Sequence, residues 1–308
     1  MNAKILPRMI VAGAALVSAS VLGAYVWRQE HRPHILEVWV FGLQNGRSTF
    51  MRTPDDKRIL IDGGSNSSVI RELTKILPFY SRRIDVIIAS NSEGKNVSGL
   101  IDILERYSVD KVIVPAFTTE SLGLASSSDQ IYATFIKTAT RLNVPIEKIS
   151  AGDTLALDPK VSARILFPAP PNEFLYSKAS PPELVLNISY GETVVMLAGS
   201  ITTKIQKSIA SSTPRTLNGS SVLVFLQNPS TANLSLVFMD RFKPEYLIYS
   251  KAITKSSAPA AKSTASSKKK PPADPLAMIP IQNRSNIKEE GTMKIESDGL
   301  RMEIKSAP

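Results

Sequence analysis

The chain has 308 residues, 43% of them hydrophobic and 21% charged, the composition of a globular protein. It has no cysteine, and its only histidines are His31 and His34, so disulfides, thiolate zinc ligands, cysteine nucleophiles and a Ser–His–Asp triad in the body of the chain are excluded. The net charge of +10 favours anionic partners such as nucleic acid or lipid headgroups, against the plainer reading of a solvated basic surface.

A short segment, 1–8, carries Lys4 and Arg8 and leads into Met9–Trp27, an uncharged stretch of 19 residues. As a helix it would span roughly 28 Å, about one hydrocarbon core. Tyr25 and Trp27 stand at one end, where interfacial aromatics belong. Arg28 and Arg32 follow, partly offset by Glu30, so the bias towards an inside N-terminus is slight. The expectation is an uncleaved, single-pass anchor over 9–27 in the cell membrane, with the domain on the extracytoplasmic side. The rival reading is a cleaved signal peptide, for which the small residues around Ser18–Ala24 give no clean site.

Leu36, Val38 and Val40 alternate as one face of a strand over His34–Phe41. Ser48–Thr53 predicts a second strand, and the turn Pro54-Asp55-Asp56 leads to a third over Arg58–Ile61. Asp62-Gly63-Gly64 ends that strand with the permissive backbone a tight turn needs. Ser67–Leu77 predicts a helix that Pro78 stops. The apolar run Val86–Ala89 predicts a buried strand. A polar loop, Ser90–Asn96, follows, and then an amphipathic helix carrying Val97, Leu100, Ile101 and Leu104. In α/β proteins the loop leaving the carboxyl end of a buried strand is where chemistry sits, so this loop holds the place of an active site.

Lys111–Val114 predicts a further strand, and Ser128 the N-cap of a helix to Leu142 with Ile131, Phe135, Ile136 and Ala139 inward. Short strands are expected near Ile146 and over Asp153–Leu157 and Val161–Phe167, before the irregular, proline-rich loop Pro168–Pro182. Leu184–Tyr190 and Thr193–Leu197 read as a hairpin across Gly191-Glu192. Val222–Leu226 reads as a buried strand, Leu234–Phe242 as a helix and Tyr246–Tyr249 as a strand. Strands interspersed with helices give an α/β sandwich over 35–253. Residues 254–283 are expected to be a low-complexity basic insertion, rich in Ser, Ala, Pro and Lys and including Lys268-Lys269-Lys270. Residues 284–305 are assigned to a terminal hairpin packed on the domain, because the sequence alternates on both sides of Asp298-Gly299.

Several separated blocks agree in order with one family. They are Arg52-Thr53-Pro54-Asp55, Ile59-Leu60-Ile61-Asp62-Gly63-Gly64, Arg83-Ile84-Asp85-Val86-Ile87-Ile88, Ser98-Gly99-Leu100, Leu104-Glu105-Arg106-Tyr107, Leu197-Ala198-Gly199-Ser200, Val222-Leu223 and Arg241-Phe242-Lys243-Pro244. Together they resemble the metallo-β-lactamase-fold domain at the end of ComEC-type DNA-uptake (competence) proteins, over most of residues 35–305. The resemblance implies a four-layer α/β/β/α sandwich with its site at one edge of the two sheets.

The departures from that family carry the functional reading. Its histidine-rich metal loop falls on Asn91, Glu93, Lys95 and Asn96. Its metal-bridging Gly-Asp falls on Gly199-Ser200, its His-His-Gly-Ser block on Gln227-Asn228-Pro229-Ser230, and its Gly-Gln-Gly-Asp turn on Gln44-Asn45-Gly46-Arg47. Only Asp62 and Glu93 are then expected as carboxylates near the site. Zinc takes imidazole, thiolate or carboxylate ligands, and without a metal there is no Lewis acid and no activated water. No metal and no cofactor is therefore expected. A Ser–Lys pair, Ser90 or Ser92 with Lys95, remains as a catalytic set, against a plain solvated lysine.

Three readings follow. The first is a membrane-anchored pseudoenzyme acting as a binding or scaffold module, linked to DNA uptake or the cell envelope. The second is a nucleic-acid or anion binder, with Arg47 and Lys95 supplying charge in a metal-free groove and DNA or an envelope protein as partner. The third is a divergent hydrolase. Asp62 carries a plainer reading throughout, as the cap of its own turn through backbone N–H groups.

Overall fold

A computed structural model describes residues 20, 34–78, 80–118, 123, 129–169, 176, 182–214, 221–230, 232–251 and 274–307. The expected anchor over 9–27, Ser20 apart, lies outside them, as do Ser128 and residues 254–273 of the expected insertion. Among the described residues no helix is long and apolar enough to cross a membrane. Ile35–Pro308 forms one compact unit.

The first half of this unit follows the order β1 (Leu36–Val40), β2 (Thr49–Arg52), β3 (Arg58–Ile61), α1 (Ser68–Ile76), β4 (Arg83–Ile88), α2 (Gly94–Arg106), β5 (Ser108–Pro115), α3 (Asp129–Arg141) and β6 (Ile146–Ile149). The second half continues with β7 (Thr154–Ala156), β8 (Val161–Phe167), β9 (Val185–Tyr190), β10 (Thr193–Gly199), α4 (Thr203–Ser212), β11 (Val222–Phe225), α5 (Leu236–Phe242) and β12 (Tyr246–Tyr249). It closes with β13 (Arg284–Asn286), α6 (Ile287–Glu290), β14 (Met293–Ser297) and β15 (Met302–Ser306).

One sheet runs β15-β14-β1-β2-β3-β4-β5-β6 and the other β13-β12-β11-β10-β9-β8-β7. Inward-facing residues of both sheets, among them Val38, Met51, Ile61, Ile88, Ile188, Val195, Val224 and Ile248, form the central core. On the far face of the first sheet, Phe50, Leu60 and Ile87 pack with Val97 and Leu100 of α2 and Phe135 of α3. On the far face of the second, Leu223 and Phe225 pack with Ile205 and Ile209 of α4 and Phe238 and Phe242 of α5. Alternation along each strand feeds two cores at once, and the result is a four-layer α/β/β/α sandwich. Strands β3–β6 and β10–β12 are parallel, so their carboxyl ends share one rim of each sheet.

Two boundaries differ from the sequence expectation. Residues 274–283 are not part of the insertion. They form short 3-10 turns at Pro275–Met278 and Ile281–Asn283, the first capped by Asp274, whose carboxylate accepts the Leu276 N–H at 3.0 Å. Ile279 is buried there, and Arg284 donates to the carbonyls of Leu276 and Ile279 at 2.6 and 2.9 Å. Nor is 284–305 a single hairpin. Arg284–Asn286 pairs with β12 in the second sheet, and the chain then crosses to the first sheet, where β14 and β15 flank the Asp298-Gly299 turn. Helix α4, which lies between two expected strands, carries only Ile205 and Ile209 as large buried apolar residues, too sparse a stripe to announce a helix.

The hairpin is joined to β1 by a ladder of charges. Lys294 donates to Glu37 and Glu296, both at 2.5 Å, Lys305 also pairs with Glu296, and Arg52 Nε reaches Glu37 at 2.6 Å. Hydrogen bonds from Lys294 and Lys305 hold the Glu296 carboxyl below the usual range. A carboxyl depressed in the folded state adds stability above its unfolded pKa and loses it as pH falls through the folded value. Glu296→Gln is expected to remove part of the acid-side loss. Urea midpoints of the two proteins should therefore converge as pH falls from about 7 to about 3.

Candidate functional site

At the carboxyl-end rim, the turn after β1, the end of β3 and the start of the β4–α2 loop meet two segments of the second sheet. These are the residue before Leu184 and the turn leaving β10. Arg47 occupies the meeting point. Its Nε donates to Asp62 Oδ2 at 2.7 Å, Nη2 to Ser90 Oγ at 2.7 Å and Nη1 to Ser200 Oγ at 3.2 Å, while Nη2 also lies 2.7 Å from Glu183 Oε1. The Arg47, Asp62 and Glu183 side chains are 9%, 2% and 4% exposed. A planar guanidinium with five donors suits such a set of oxygens, since its fork meets several of them at once.

The partners are themselves fixed. Ser90 donates to Asp62 through its N–H at 2.7 Å and its hydroxyl at 2.6 Å. Ser200 donates to Glu183 through its N–H at 3.0 Å and its hydroxyl at 3.2 Å. Asp62 has φ of 60°, the left-handed region that Asp tolerates better than most residues. Gly199 has φ of 55°, and a Cβ there would lie 1.5 Å from Glu183 Oε1, so a larger residue would strain the backbone and push that carboxylate out of place. Burial alone would lower the Arg47 pKa, but Glu183 and Asp62 outweigh it and hold the guanidinium more firmly protonated than a free arginine. Burial pushes the Glu183 carboxyl up, with Arg47 and the Ser200 N–H opposing it.

These contacts correct three expectations. Arg47 is not an open anion-binding cation: it is interior and neutralised by carboxylates. The Asp62 carboxylate reaches across to Ser90 of the neighbouring segment and to Arg47, and the N–H groups of Gly63 and Gly64 in its own turn donate instead to the Asn96 and Arg47 carbonyls. A further carboxylate, Glu183, joins the site and was missed. Its one signal in sequence was a charged residue pressed between Pro181-Pro182 and the apolar run Leu184–Leu186.

The other candidates form a second, adjoining group. Asn91 and Asn96 are buried, and Asn91 Oδ1 accepts the Glu93 N–H at 3.0 Å and Asn96 Nδ2 at 3.2 Å. Glu93 Oε2 accepts Asn96 Nδ2 at 3.2 Å and lies 3.1 Å from Lys95 Nζ. The amides thus satisfy one another, and Lys95, with its side chain 58% exposed, pairs with Glu93 at the surface. The structure does not bring Gln227 and Asn228 to Arg47. Gln227 donates to the Ile201 carbonyl at 3.1 Å, and Asn228 is exposed, its carbonyl accepting from Asn233 at 3.1 Å.

The cavity beneath Arg47 holds about 20 Å³, lined by Asp62, Ser90, Glu183 and the apolar residues Leu184, Leu186 and Val224 among others. That is room for a single water, whereas small-molecule sites run to about 300–1,000 Å³. Zinc ions such as the resembled family holds do not fit this donor set. The two carboxylates are already bridged by a guanidinium, the neighbouring segment offers neutral amides and Glu93, which is paired with Lys95, and the chain has no thiolate to add. Among the described residues no group of three or more His, Cys, Asp or Glu side chains is placed to hold a metal.

No protein-family model and no curated protein matches the sequence. Solved structures with similarity include a CmlA β-hydroxylase mutant, at 14% identity and TM-score 0.44 over 70% of this chain, which spans 45% of that protein. They also include unliganded yeast PDE1, at 9% identity and TM-score 0.44 over 70% of this chain and 87% of that one. A third is MEM-A1, a subclass B3 metallo-β-lactamase from a soil metagenome library, at 16% identity and TM-score 0.39 over 61% and 75%.

Proposed function

We propose that this protein is a membrane-anchored pseudoenzyme on a metallo-β-lactamase-type scaffold, a binding or scaffold module of DNA-uptake or cell-envelope machinery. The observation that carries the non-catalytic part is Arg47. Its guanidinium spans Asp62 and Glu183 above a cavity of about 20 Å³, where hydrolysis would need a metal, an activated water and a substrate. The anchor rests on the uncharged run Met9–Trp27, and the DNA-uptake or envelope setting on the ComEC-like sequence blocks.

Full-length protein, extracted in detergent, tests this directly. Elemental analysis should find zinc, manganese and iron well below one equivalent, and incubation with a phosphodiester should give no turnover. Stoichiometric metal together with turnover would reinstate the divergent hydrolase. A Ser–Lys mechanism is disfavoured by the same geometry, because the Ser90 hydroxyl is already committed to Asp62 and Lys95 to Glu93.

The net charge of +10 supports a second reading, binding of single-stranded nucleic acid. Arg47 is engaged inside the domain, so the attraction is assigned to the basic stretch Ala258–Pro272, with Lys268-Lys269-Lys270 towards its C-terminal end. Contacts to phosphates weaken steeply with salt, by about 50-fold between 50 and 200 mM when the four lysines of this stretch each neutralise a phosphate of a single strand. Association with single-stranded DNA should show that dependence, vanish on deletion of Ala258–Pro272 and survive Lys95→Ala. A full-length protein that ignores DNA at low salt would sink this second reading.

A further inference from the structure

The first sheet stops at β15, and among the described residues β15 pairs only with β14. Ala307 N–H donates to the Thr292 carbonyl at 2.7 Å, and Asp298 N–H to the Arg301 carbonyl at 3.3 Å. Bonds in an antiparallel ladder fall on alternate residues, so Glu303 and Lys305 turn their backbone groups towards β14, and Met302, Ile304 and Ser306 turn theirs outward. The strand is fixed at both ends. The Thr292–Ala307 bond closes one end. At the other, Glu192 N–H donates to the Gly299 carbonyl at 2.6 Å, and the Thr193 and Ser297 hydroxyls are 2.6 Å apart. Side chains alternate along it. Met302 and Ile304 lean on the central core, only partly covered, and Glu303 and Lys305 stand on the opposite face, 69% and 46% exposed.

We propose that β15 is an interface for a second copy of this chain, which lays its own β15 antiparallel alongside, across a two-fold axis at Ile304, and joins the two first sheets into one. Pairing of a strand with its own copy is isologous, so the register is set by which residue sits on the axis, and the charges choose it. With Ile304 on the axis, Glu303 lies opposite the partner's Lys305, and Lys305 opposite the partner's Glu303. The two Ile304 side chains meet, Met302 faces the partner's Ser306, and the outward backbone groups of the strand are all paired. With Glu303 on the axis, two carboxylates would face each other and Arg301 would meet the partner's Lys305. With Lys305 on the axis, two ammonium groups would meet. A lysine on an edge strand ordinarily keeps a second edge away, but the glutamate two residues before it turns that repulsion into a match. Lys305 already pairs with Glu296 and lies 3.7 Å from Glu303 in its own chain. An ammonium has three donors, so a carboxylate from across the axis adds to these contacts. Five residues a side make a small interface, and the expected Kd is on the order of 10 μM.

The chain has no cysteine, so a single introduced thiol reports on this pairing. In full-length protein held in detergent at about 100 μM, ten times the expected Kd, Ile304→Cys should form a covalent dimer under mild oxidation. Residues that face each other in such a pair have Cα atoms about 5.5 Å apart, within disulfide reach. Met302→Cys should not cross-link, since on this register its copy lies about 13 Å away along the strand. No cross-link at Ile304, or equal cross-linking at both positions, overturns the proposal. Sedimentation needs no thiol and gives a second readout. Wild type should dimerise. Lys305→Glu should raise the Kd about tenfold or more, because two attractions become two repulsions, and adding Glu303→Lys to it should restore the wild-type value. A wild-type protein that stays monomeric at about 100 μM overturns the proposal. So does a dimer indifferent to Lys305→Glu, as one held together by residues 9–27 would be, and so does a double variant that does not recover.

Discussion

Replacing Arg47 with Met should destabilise the domain by about 3–5 kcal/mol, read as a lower urea midpoint at an unchanged m-value. The Met stem fills much of the arginine's path, so the loss is electrostatic more than a matter of packing. What remains is a pair of interior carboxylates, Asp62 and Glu183, with no opposing charge in a space that holds about one water. Distance alone would not predict this. Lys111 and Glu147 stand 2.8 Å apart, as close as Arg47 and Asp62 at 2.7 Å, but their side chains are 42% and 45% exposed. Water already solvates both, and Lys111→Ala should cost no more than about 1 kcal/mol. A companion variant isolates the cause. Combining Arg47→Met with Asp62→Asn and Glu183→Gln removes every charge together and should recover most of the lost stability, since an interior ion cluster exchanged for neutral groups of similar volume is often close to neutral. If the triple variant is as unstable as the single one, the charge imbalance is not what the arginine relieves.

The frame of this site was legible in the sequence, and its filling was not. Val86–Ala89 and Val222–Leu226 announce interior strands because parallel strands are covered on both faces and read as unbroken apolar runs. The Asp62-Gly63-Gly64 turn and the loop Ser90–Asn96 follow as the rim those strands deliver. Which charges come together there depends on pairing across the two sheets. Arg47 and Glu183 belong to distant parts of the chain, and a one-dimensional reading places Arg47 beside Lys95 as a surface cation. The two end in opposite settings, Lys95 mostly in water and Arg47 sealed under the rim. Asn91 and Asn96 show the same limit. Their polarity suggests a solvated loop, yet both are buried because each finds its hydrogen bonds where the loop runs into the first turn of α2. Residues 274–283 were hidden for a related reason. Leu276, Met278, Ile279 and Ile281 set them apart from the Ser- and Lys-rich stretch before them, but no strand or helix period marks them, and what orders them is Arg284, a later residue reaching back to the carbonyls of Leu276 and Ile279.

Gly99→Ala should lower stability by about 3 kcal/mol, opposite in sign to the same change in a free helix. Gly99 lies inside α2, where alanine normally gains about 0.5–1 kcal/mol over glycine through helix propensity. Here the backbone of the Asp62-Gly63-Gly64 turn runs directly against it. A Cβ on Gly99 would sit 2.0 Å from the Gly63 carbonyl oxygen and 2.7 Å from that of Asn66. Both obstacles are backbone, so no rotamer change relieves the clash, and α2 or the turn must move. Neither moves alone, because Gly63 N–H donates to the Asn96 carbonyl at 2.7 Å and Gly99 N–H to the Gly64 carbonyl at 3.1 Å. The displacement would reach Asp62, one residue from Gly63, and with it the Arg47 cluster. Gly123→Ala is the contrasting case. Its φ of 69° strains an alanine, but among the described residues nothing lies within 4 Å of the added carbon, so backbone strain of about 1 kcal/mol is the expected cost. Chemical denaturation of both variants decides the point. A Gly99→Ala protein at or above wild-type stability would mean that helix and turn separate freely, and the close contact that sets Asp62 in place would lose its role.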